Sequence, residues 1–91
     1  MMYELIYTGQ FKKELKLMQK RGYDMSLFEE VAEILKSGKQ LSETYENHPL
    51  HGEYVGCQEC HIKSDWLLIY QKKCERGYIE FQRTGTHSDL Y

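Results

Sequence analysis

Ten residues, His61-Ile62-Lys63-Ser64-Asp65-Trp66-Leu67-Leu68-Ile69-Tyr70, carry the main structural signal of this chain together with a candidate site. Their second half is an unbroken apolar run with β-branched and aromatic side chains, which predicts a central strand buried on both faces. We expect His61 and Asp65 at a turn beside that strand. A rigid strand end would hold these two groups in the fixed positions that acid–base chemistry needs.

Composition indicates a single ordinary globular domain over residues 1–91. The chain has 41% hydrophobic and 29% charged residues, and its length supports one modest core. No apolar run approaches the roughly 20 residues of a membrane span, and the amino-terminal residues lack the layout of a secretory signal. We therefore expect a cytoplasmic protein without membrane association. Three cysteines, an odd number, favour reduced thiols over a disulfide framework.

Charge is distributed unevenly along the chain, although the net charge is only −2. The segment from Lys12 to Arg21 contains five bases and one acid, whereas Asp24 to Glu33 contains four acids and no base. Lys12, Lys16 and Lys20 recur every fourth residue and would form one basic stripe on a helix. Such a stripe is usually a solvated face, but a nucleic-acid-cleaving domain also needs phosphate contacts. Lys12 and Lys16 are accordingly candidate substrate-binding residues.

The first half of the chain predicts a strand followed by two helices. The residues from Tyr3 to Tyr7 favour a short strand, after which Thr8 can cap a helix over residues 10–21. Gly22 ends that helix. A second amphipathic helix, capped by Asp24 or Ser26, continues to Ser37-Gly38. The apolar stripes predict that both helices lie on one face of a sheet.

The second half predicts β structure. The residues from Leu41 to Gly52 include the only proline and are expected to form a loop. Residues 54–63 form two short strands or one bulged strand. Strands are expected over residues 66–72 and 78–83 with a turn between them, and the tail from Thr84 is expected to be turn-like. The predicted fold class is α+β, with two helices packed on a small twisted, mainly antiparallel sheet.

Titratable side chains accumulate in this second half. They are His48, His51, His61, Arg83 and His87, near Asp65 and Trp66. Histidine exchanges a proton near neutrality, since its reference pKa is about 6.5. RNA phosphodiester cleavage needs a base, an acid and a cation, and aromatic rings can stack on unpaired bases. The alternative is that surface loops simply accumulate histidines.

A competing pattern is Cys57-Gln58-Glu59-Cys60-His61. C-x-x-C-H is the attachment signature of c-type haem, but haem attachment would require export. A zinc site would combine Cys57 and Cys60 with two of Cys74, His48, His51 and His61, whereas structural zinc usually has two closely spaced ligand pairs. On one regular strand these two thiols would also point to opposite faces. We predict no metal and no cofactor, with the thiols filling strand positions.

The chain resembles the YafQ-type members of the RelE superfamily, which are the toxins of bacterial type II toxin–antitoxin modules. The resemblance covers nearly the whole chain, in the family's order. Its segments are Tyr7-Thr8-Gly9-Gln10-Phe11, Asn47-His48-Pro49-Leu50, His61 with Asp65-Trp66-Leu67-Leu68-Ile69-Tyr70, and Arg83-Thr84-Gly85-Thr86-His87. It implies two helices on a twisted antiparallel sheet, in agreement with the pattern above.

The resemblance also implies metal-independent cleavage of mRNA in the ribosomal A site. The positions matching family catalytic residues are His48, His61, Asp65, Arg83 and His87, and Trp66 and Tyr91 match substrate-binding positions. The implied partners are a cognate antitoxin, the ribosome with its mRNA, and operator DNA only through the antitoxin complex. Two alternatives are a catalytically inactive relative that binds antitoxin and represses its operon, and a small zinc-binding domain.

Overall fold

The computed structural model describes residues 2–91 and begins with strand β1 (Glu4–Tyr7), followed by helices α1 (Gly9–Lys20) and α2 (Met25–Lys36). The Thr8 hydroxyl accepts a hydrogen bond from the backbone N–H of Phe11 at 3.0 Å, as predicted for the cap of α1. Asp24, rather than Ser26, caps α2 by accepting from the backbone N–H of Ser26 at 3.0 Å. Both predicted helices are confirmed, and α1 is shifted by one residue at each end.

Four further strands complete the sheet: β2 (His48–Pro49), β3 (Gln58–Lys63), β4 (Trp66–Lys73) and β5 (Tyr78–Gly85). The strand order is β1-β5-β4-β3-β2. Strand β1 runs parallel to β5, and the other neighbours are antiparallel. The α+β architecture with a mainly antiparallel sheet is confirmed.

Two details differ from the sequence prediction, and a third decides between its two alternatives. The expected loop over residues 41–52 contains β2, in which Pro49 is tolerated because β2 is an edge strand. Of the two alternatives for residues 54–63, the single irregular strand is observed: it is β3, whose pairing with β4 shifts register between His61 and Lys63. The tail forms a short helix, α3 (His87–Leu90), because Thr86 and Asp89 make a reciprocal capping box.

Strand β4 divides the core into two clusters, one on each face of the sheet. Trp66 to Tyr70 are at most 1% exposed, which confirms the predicted central strand. Trp66, Leu68 and Tyr70 pack under the helices, whereas Leu67 and Ile69 pack on the opposite face with Leu90 of α3. Alternation along a strand produces this division. Among the described residues, no helix is both long and apolar enough to cross a membrane.

Candidate active site

The sheet face opposite α1 and α2, called here the site face, collects most of the predicted functional residues. In the antiparallel register, His48 of β2 pairs with Glu59, Glu59 with Ile69, and Ile69 with Arg83. Directly paired residues of antiparallel strands project to the same face. One row of side chains therefore crosses four strands, and His61 lies on the same face because it follows Glu59 by two positions.

His87 and Asp65 form a pair at one end of the site face. The carboxylate oxygen Oδ1 of Asp65 contacts Nδ1 of His87 at 2.6 Å and accepts from the backbone N–H of His87 at 3.0 Å. The backbone hydrogen bond, followed by the side-chain one, lowers the pKa of Asp65. A carboxylate can only accept, so Nδ1 carries the proton and Nε2 is left to face a substrate. This is the orientation in which a histidine serves as a general acid or base.

Three histidine rings form a row that continues from His87. The ring centroids of His87 and His61 lie 5.8 Å apart, and those of His61 and His48 lie 6.5 Å apart. Nδ1 of His61 lies 3.4 Å from a carboxylate oxygen of Glu46 but is not aligned for a hydrogen bond with it. This buried nitrogen has no other partner among residues 2–91. The row therefore places proton-transfer groups side by side. His61 itself lies within β3 and not at the predicted turn, which contains Asp65.

His48 and Tyr91 are connected through one buried carboxylate, that of Glu59, which is 4% exposed. Nε2 of His48 lies 3.3 Å from one Glu59 oxygen, and the Tyr91 hydroxyl donates to the other. Nδ1 of His48 lies 2.8 Å from the backbone carbonyl oxygen of Glu46. Tyr91 is nevertheless 66% exposed, so its ring can be reached from solvent.

Arg83 lies on the site face but is paired with Glu14 of α1. Its Nε donates to both Glu14 carboxylate oxygens at 2.9 Å, and its Nη2 donates to Oε2 at 2.6 Å. Its Nη1 donates to the Tyr54 hydroxyl at 2.7 Å. The hydrogen bonds to Glu14 raise the pKa of Arg83 above its usual range. The guanidinium is thus a permanent cation whose position is fixed from two sides.

The expectation that Trp66 binds substrate is wrong. Its side chain is 0% exposed and lies on the helix side of the sheet, in contact with the ring of Tyr23 at a centroid distance of 5.3 Å. The indole N–H donates to the Thr84 hydroxyl at 2.9 Å. The alternation of β4 places Trp66 on the face away from His61, so it is a core residue.

Lys12 and Lys16 do not reach the site face either. Successive helical residues are rotated by about 100°, so these lysines lie on the side of α1 opposite Glu14, which contacts Arg83. They line a groove of about 600 Å³ between the two helices, whose floor includes Leu15 and Phe28. They therefore lie on a basic surface separate from the histidine site, and their role as phosphate contacts stays a prediction.

Several residues of the site were missed by the sequence prediction. They are Glu14, Glu46, Tyr54 and Glu59. A signal existed for Glu59, because an acid two residues before His61 on a buried strand must share its face. No local pattern connects Glu14 with Arg83, since 69 positions separate them.

The two closely spaced cysteines lie on opposite faces of the sheet, as expected for a strand. Cys60 packs with the helix-side cluster and Cys57 with the opposite one. Burial raises the pKa of the Cys60 thiol to about 12, so it stays protonated and apolar near neutrality. Within residues 2–91, no group of three or more His, Cys, Asp or Glu side chains is arranged to hold a metal ion.

Comparison with known proteins gives consistent matches over almost the full length. Residues 3–91 match the family model of the bacterial toxin of type II toxin–antitoxin systems, YafQ. The chain is 37% identical over 89 residues to the mRNA interferase toxin YafQ of Escherichia coli K12, covering 97% of this chain and 95% of that protein.

Two solved structures have the same fold. The toxin in the E. coli DinJ–YafQ toxin–antitoxin complex superposes with a TM-score of 0.89 and 35% identity, covering 100% of this chain and 99% of that one. A metal-bound toxin from Helicobacter pylori superposes with a TM-score of 0.90 and 35% identity, with full coverage of both chains. The chain therefore belongs to the YafQ family of toxins of bacterial type II toxin–antitoxin systems.

Proposed function

We propose that this toxin is a ribosome-dependent mRNA endoribonuclease that inhibits translation by cleaving messages in the ribosomal A site. The observation that supports this most is the His87–Asp65 pair, with its 2.6 Å contact, beside the ring of His61. The E. coli relative is named an mRNA interferase toxin, which supports the same activity. Acid–base cleavage of a phosphodiester requires two proton-transfer groups that can contact one phosphate, and adjacent imidazoles meet that need.

The proposed reaction is attack of the ribose 2′-oxygen on the adjacent phosphorus. One imidazole of the row takes the 2′-hydroxyl proton as the P–O2′ bond forms. A second imidazole gives a proton to the 5′-oxygen as the P–O5′ bond breaks. The products are a 2′,3′-cyclic phosphate and a free 5′-hydroxyl, so atoms and protons balance without a co-reactant. Asp65 keeps the tautomer of His87 fixed, which leaves Nε2 as the atom that exchanges the proton.

Charge that develops on the phosphate oxygens needs cations that are already in place. Arg83 is the cation of the site face, and its Nη1 edge beside Tyr54 is its route to substrate, because Glu14 occupies the Nε and Nη2 edge. Tyr91 provides an exposed aromatic ring on which a base can stack. We assign Arg83 to charge stabilisation and Tyr91 to substrate binding.

The proposed partners follow from the family and from the surface. The E. coli relative is solved in complex with the antitoxin DinJ, and we propose that a cognate antitoxin neutralises this toxin in the same general way. Operator DNA would be bound only through that complex. A net charge of −2 gives little non-specific RNA affinity, so positioning of the message is assigned to the ribosome. Action on ribosomes places the protein in the cytoplasm.

The proposed chemistry requires protons and a cation, and we propose that it proceeds without a bound metal. The metal-free mechanism needs a test because the H. pylori relative is a metal-bound toxin. In this chain, Asp65, Glu59 and Glu46 lie beside the three histidines of the row. Elemental analysis of the purified protein is expected to show no stoichiometric zinc or copper. Retention of either metal after mild chelation, with cleavage lost on stronger chelation, would contradict the metal-free mechanism.

Expression in a bacterial host tests the function against its main alternative, an inactive module that binds antitoxin and represses an operon. Wild-type protein is expected to arrest growth and translation, and the His87→Ala variant at equal expression is not. A neighbouring small reading frame should relieve the arrest. An inactive module would leave growth unchanged for both proteins while still binding the antitoxin.

A further inference from the structure

Glu59 is an acidic side chain in an environment that normally excludes charge. It is the second residue of β3, with His48 and Ile69 as its cross-strand neighbours, and it is 4% exposed. An ionised carboxylate is costly to bury unless hydrogen bonds and opposite charges compensate it. An apolar residue at this position would pack without the free-energy cost of burying a charge. The reason for a carboxylate here must therefore lie in the residues that it contacts.

Both partners are candidate functional residues, and each occupies a different carboxylate oxygen. Oε1 lies 3.3 Å from Nε2 of His48, and Oε2 accepts the hydrogen bond from Tyr91. His48 comes from the edge strand β2, whereas Tyr91 follows α3. One buried side chain thereby connects two parts of the site that no strand pairing joins.

Two contacts orient the ring of His48. The Glu46 carbonyl oxygen can only accept a hydrogen bond, so Nδ1 carries the proton of that 2.8 Å contact and Nε2 is the nitrogen available for proton exchange. Nε2 lies 3.3 Å from the Glu59 carboxylate without the alignment of a hydrogen bond, so Glu59 acts on it through its charge. A negative charge at this distance favours the ring orientation in which Nε2 faces the carboxylate.

Tyr91 is fixed through its hydroxyl while its ring stays exposed. Burial of the hydroxyl and its hydrogen bond to Glu59 raise the pKa of Tyr91 above its usual range, so the hydroxyl remains a donor near neutrality. A tyrosine held only at its tip presents a pre-oriented ring to a base, which reduces the entropy lost on stacking.

We infer that Glu59 is a positioning residue of the active site, which holds His48 for proton transfer with one oxygen and Tyr91 for base stacking with the other. This inference rests on the proposed function and adds to it a residue that acts through two others. His48 would act on the chemical step and Tyr91 on substrate binding, so Glu59 should influence both kcat and KM.

The test is a kinetic comparison of Glu59→Gln on programmed ribosomes in three backgrounds. In the wild-type background, Glu59→Gln should lower kcat by about 10- to 100-fold, less than the roughly 10²–10⁴-fold contribution of a general acid or base, and should raise KM. In a His48→Ala background the kcat effect should disappear and the KM effect should persist. In a Tyr91→Phe background the KM effect should disappear and the kcat effect should persist. Glu75→Gln, in the exposed β4–β5 turn, is the matched control.

A purely structural role would give a different pattern. Glu59→Gln would then change kcat and KM by the same factors in all three backgrounds, and this result would overturn the inference. Thermal melting of each variant separates these effects from loss of folded protein. If Glu59→Gln does not fold, Tyr91→Phe is the second variant, because it frees one carboxylate oxygen while keeping the charge.

A spectroscopic measurement tests the positioning role of Glu59 without an activity assay. Side-chain NMR should show the His48 ring and Tyr91 signals shifting in Glu59→Gln, with the His87 ring signals unchanged. Tyr91→Phe should likewise shift the His48 ring signals through the shared carboxylate. His48 signals that are the same in wild type and both variants would overturn the positioning role. Absence of cleavage by the wild-type protein would instead contradict the proposed function, and the NMR result would still decide the role of Glu59.

Discussion

Glu14 and Arg83 join the helical layer to the site face through a bidentate ion pair whose shortest contact is 2.6 Å. Glu14 also accepts from the backbone N–H of Thr84 at 3.1 Å, so one carboxylate fixes both the arginine and the strand that carries it. The two side chains are 18% and 19% exposed, which limits screening by water. The position of Arg83 thus depends on a residue from the other layer of the protein.

Removing the Glu14 carboxylate should therefore destabilise the protein and displace Arg83. We expect Glu14→Gln to lower the free energy of unfolding by about 1.5–3 kcal/mol, the range for hydrogen bonds to charged groups. Denaturant unfolding checks this, with the exposed Glu33→Gln on α2 as control. In an Arg83→Gln background the same change should cost much less, since the partner is absent. Equal costs in both backgrounds would contradict the pairing.

The contrast between His87 and Trp66 separates the site from the core. His87 is exposed, so His87→Ala should leave the melting temperature nearly unchanged while cleavage falls by about 10²–10⁴-fold. Trp66 is fully buried, so Trp66→Ala should cost about 3–5 kcal/mol of stability. Melting curves measured beside a toxicity assay test both expectations. A His87→Ala protein that no longer folds would show that the histidine is structural.

The basic surface of α1 should contribute to a macromolecular partner and not to catalysis. We expect the triple charge reversal of Lys12, Lys16 and Lys20 to weaken binding of the antitoxin or the ribosome and to reduce the salt dependence of that binding. Affinities at two salt concentrations, with the exposed Lys39→Glu as control, measure this. If neither affinity nor its salt dependence changes, the stripe is only a solvated face.

The Asp65–His87 pair predicts a specific dependence of stability on pH. The folded-state pKa of Asp65 is below its ordinary value, which is about 3.9 in an unfolded chain. Its contribution to stability is therefore present above about pH 4 and is lost as the pH falls through the folded-state value. The melting temperature of Asp65→Asn should lie below that of wild type at pH 7 and converge with it in strong acid. A difference of unchanged size at about pH 2.5 would contradict this.

Local patterns predicted the elements of this fold better than the contacts between them. The apolar run from Trp66 to Tyr70 and the Thr8 cap were sufficient to place β4 and the start of α1. The parallel pairing of β1 with β5 was not predicted, because nothing in either strand specifies a neighbour more than 70 positions away. The capping box of α3 was visible as Thr86 followed by Asp89 and was missed in the sequence prediction.

In the candidate site, too, the residues could be predicted better than the contacts between them. His48, His61 and His87 could be listed from composition, and the structure brings their rings into one row. Their carboxylate partners depend on strand register and on the packing of α3, which a single sequence does not contain. Trp66 was misassigned because its neighbour Asp65 belongs to the site, whereas strand alternation turns the indole to the opposite face.

The most direct test of the proposed function is cleavage of one defined message by purified protein, with and without programmed ribosomes, at near-physiological salt. We expect rapid cleavage only when ribosomes are present. A fixed message aligns the 2′-oxygen, phosphorus and 5′-oxygen, which removes several kcal/mol of the activation barrier, out of the roughly 7–11 kcal/mol that orientation can supply. His87→Ala should abolish most of that cleavage. Equal rates with and without ribosomes, or unchanged cleavage by His87→Ala, would contradict the proposed function.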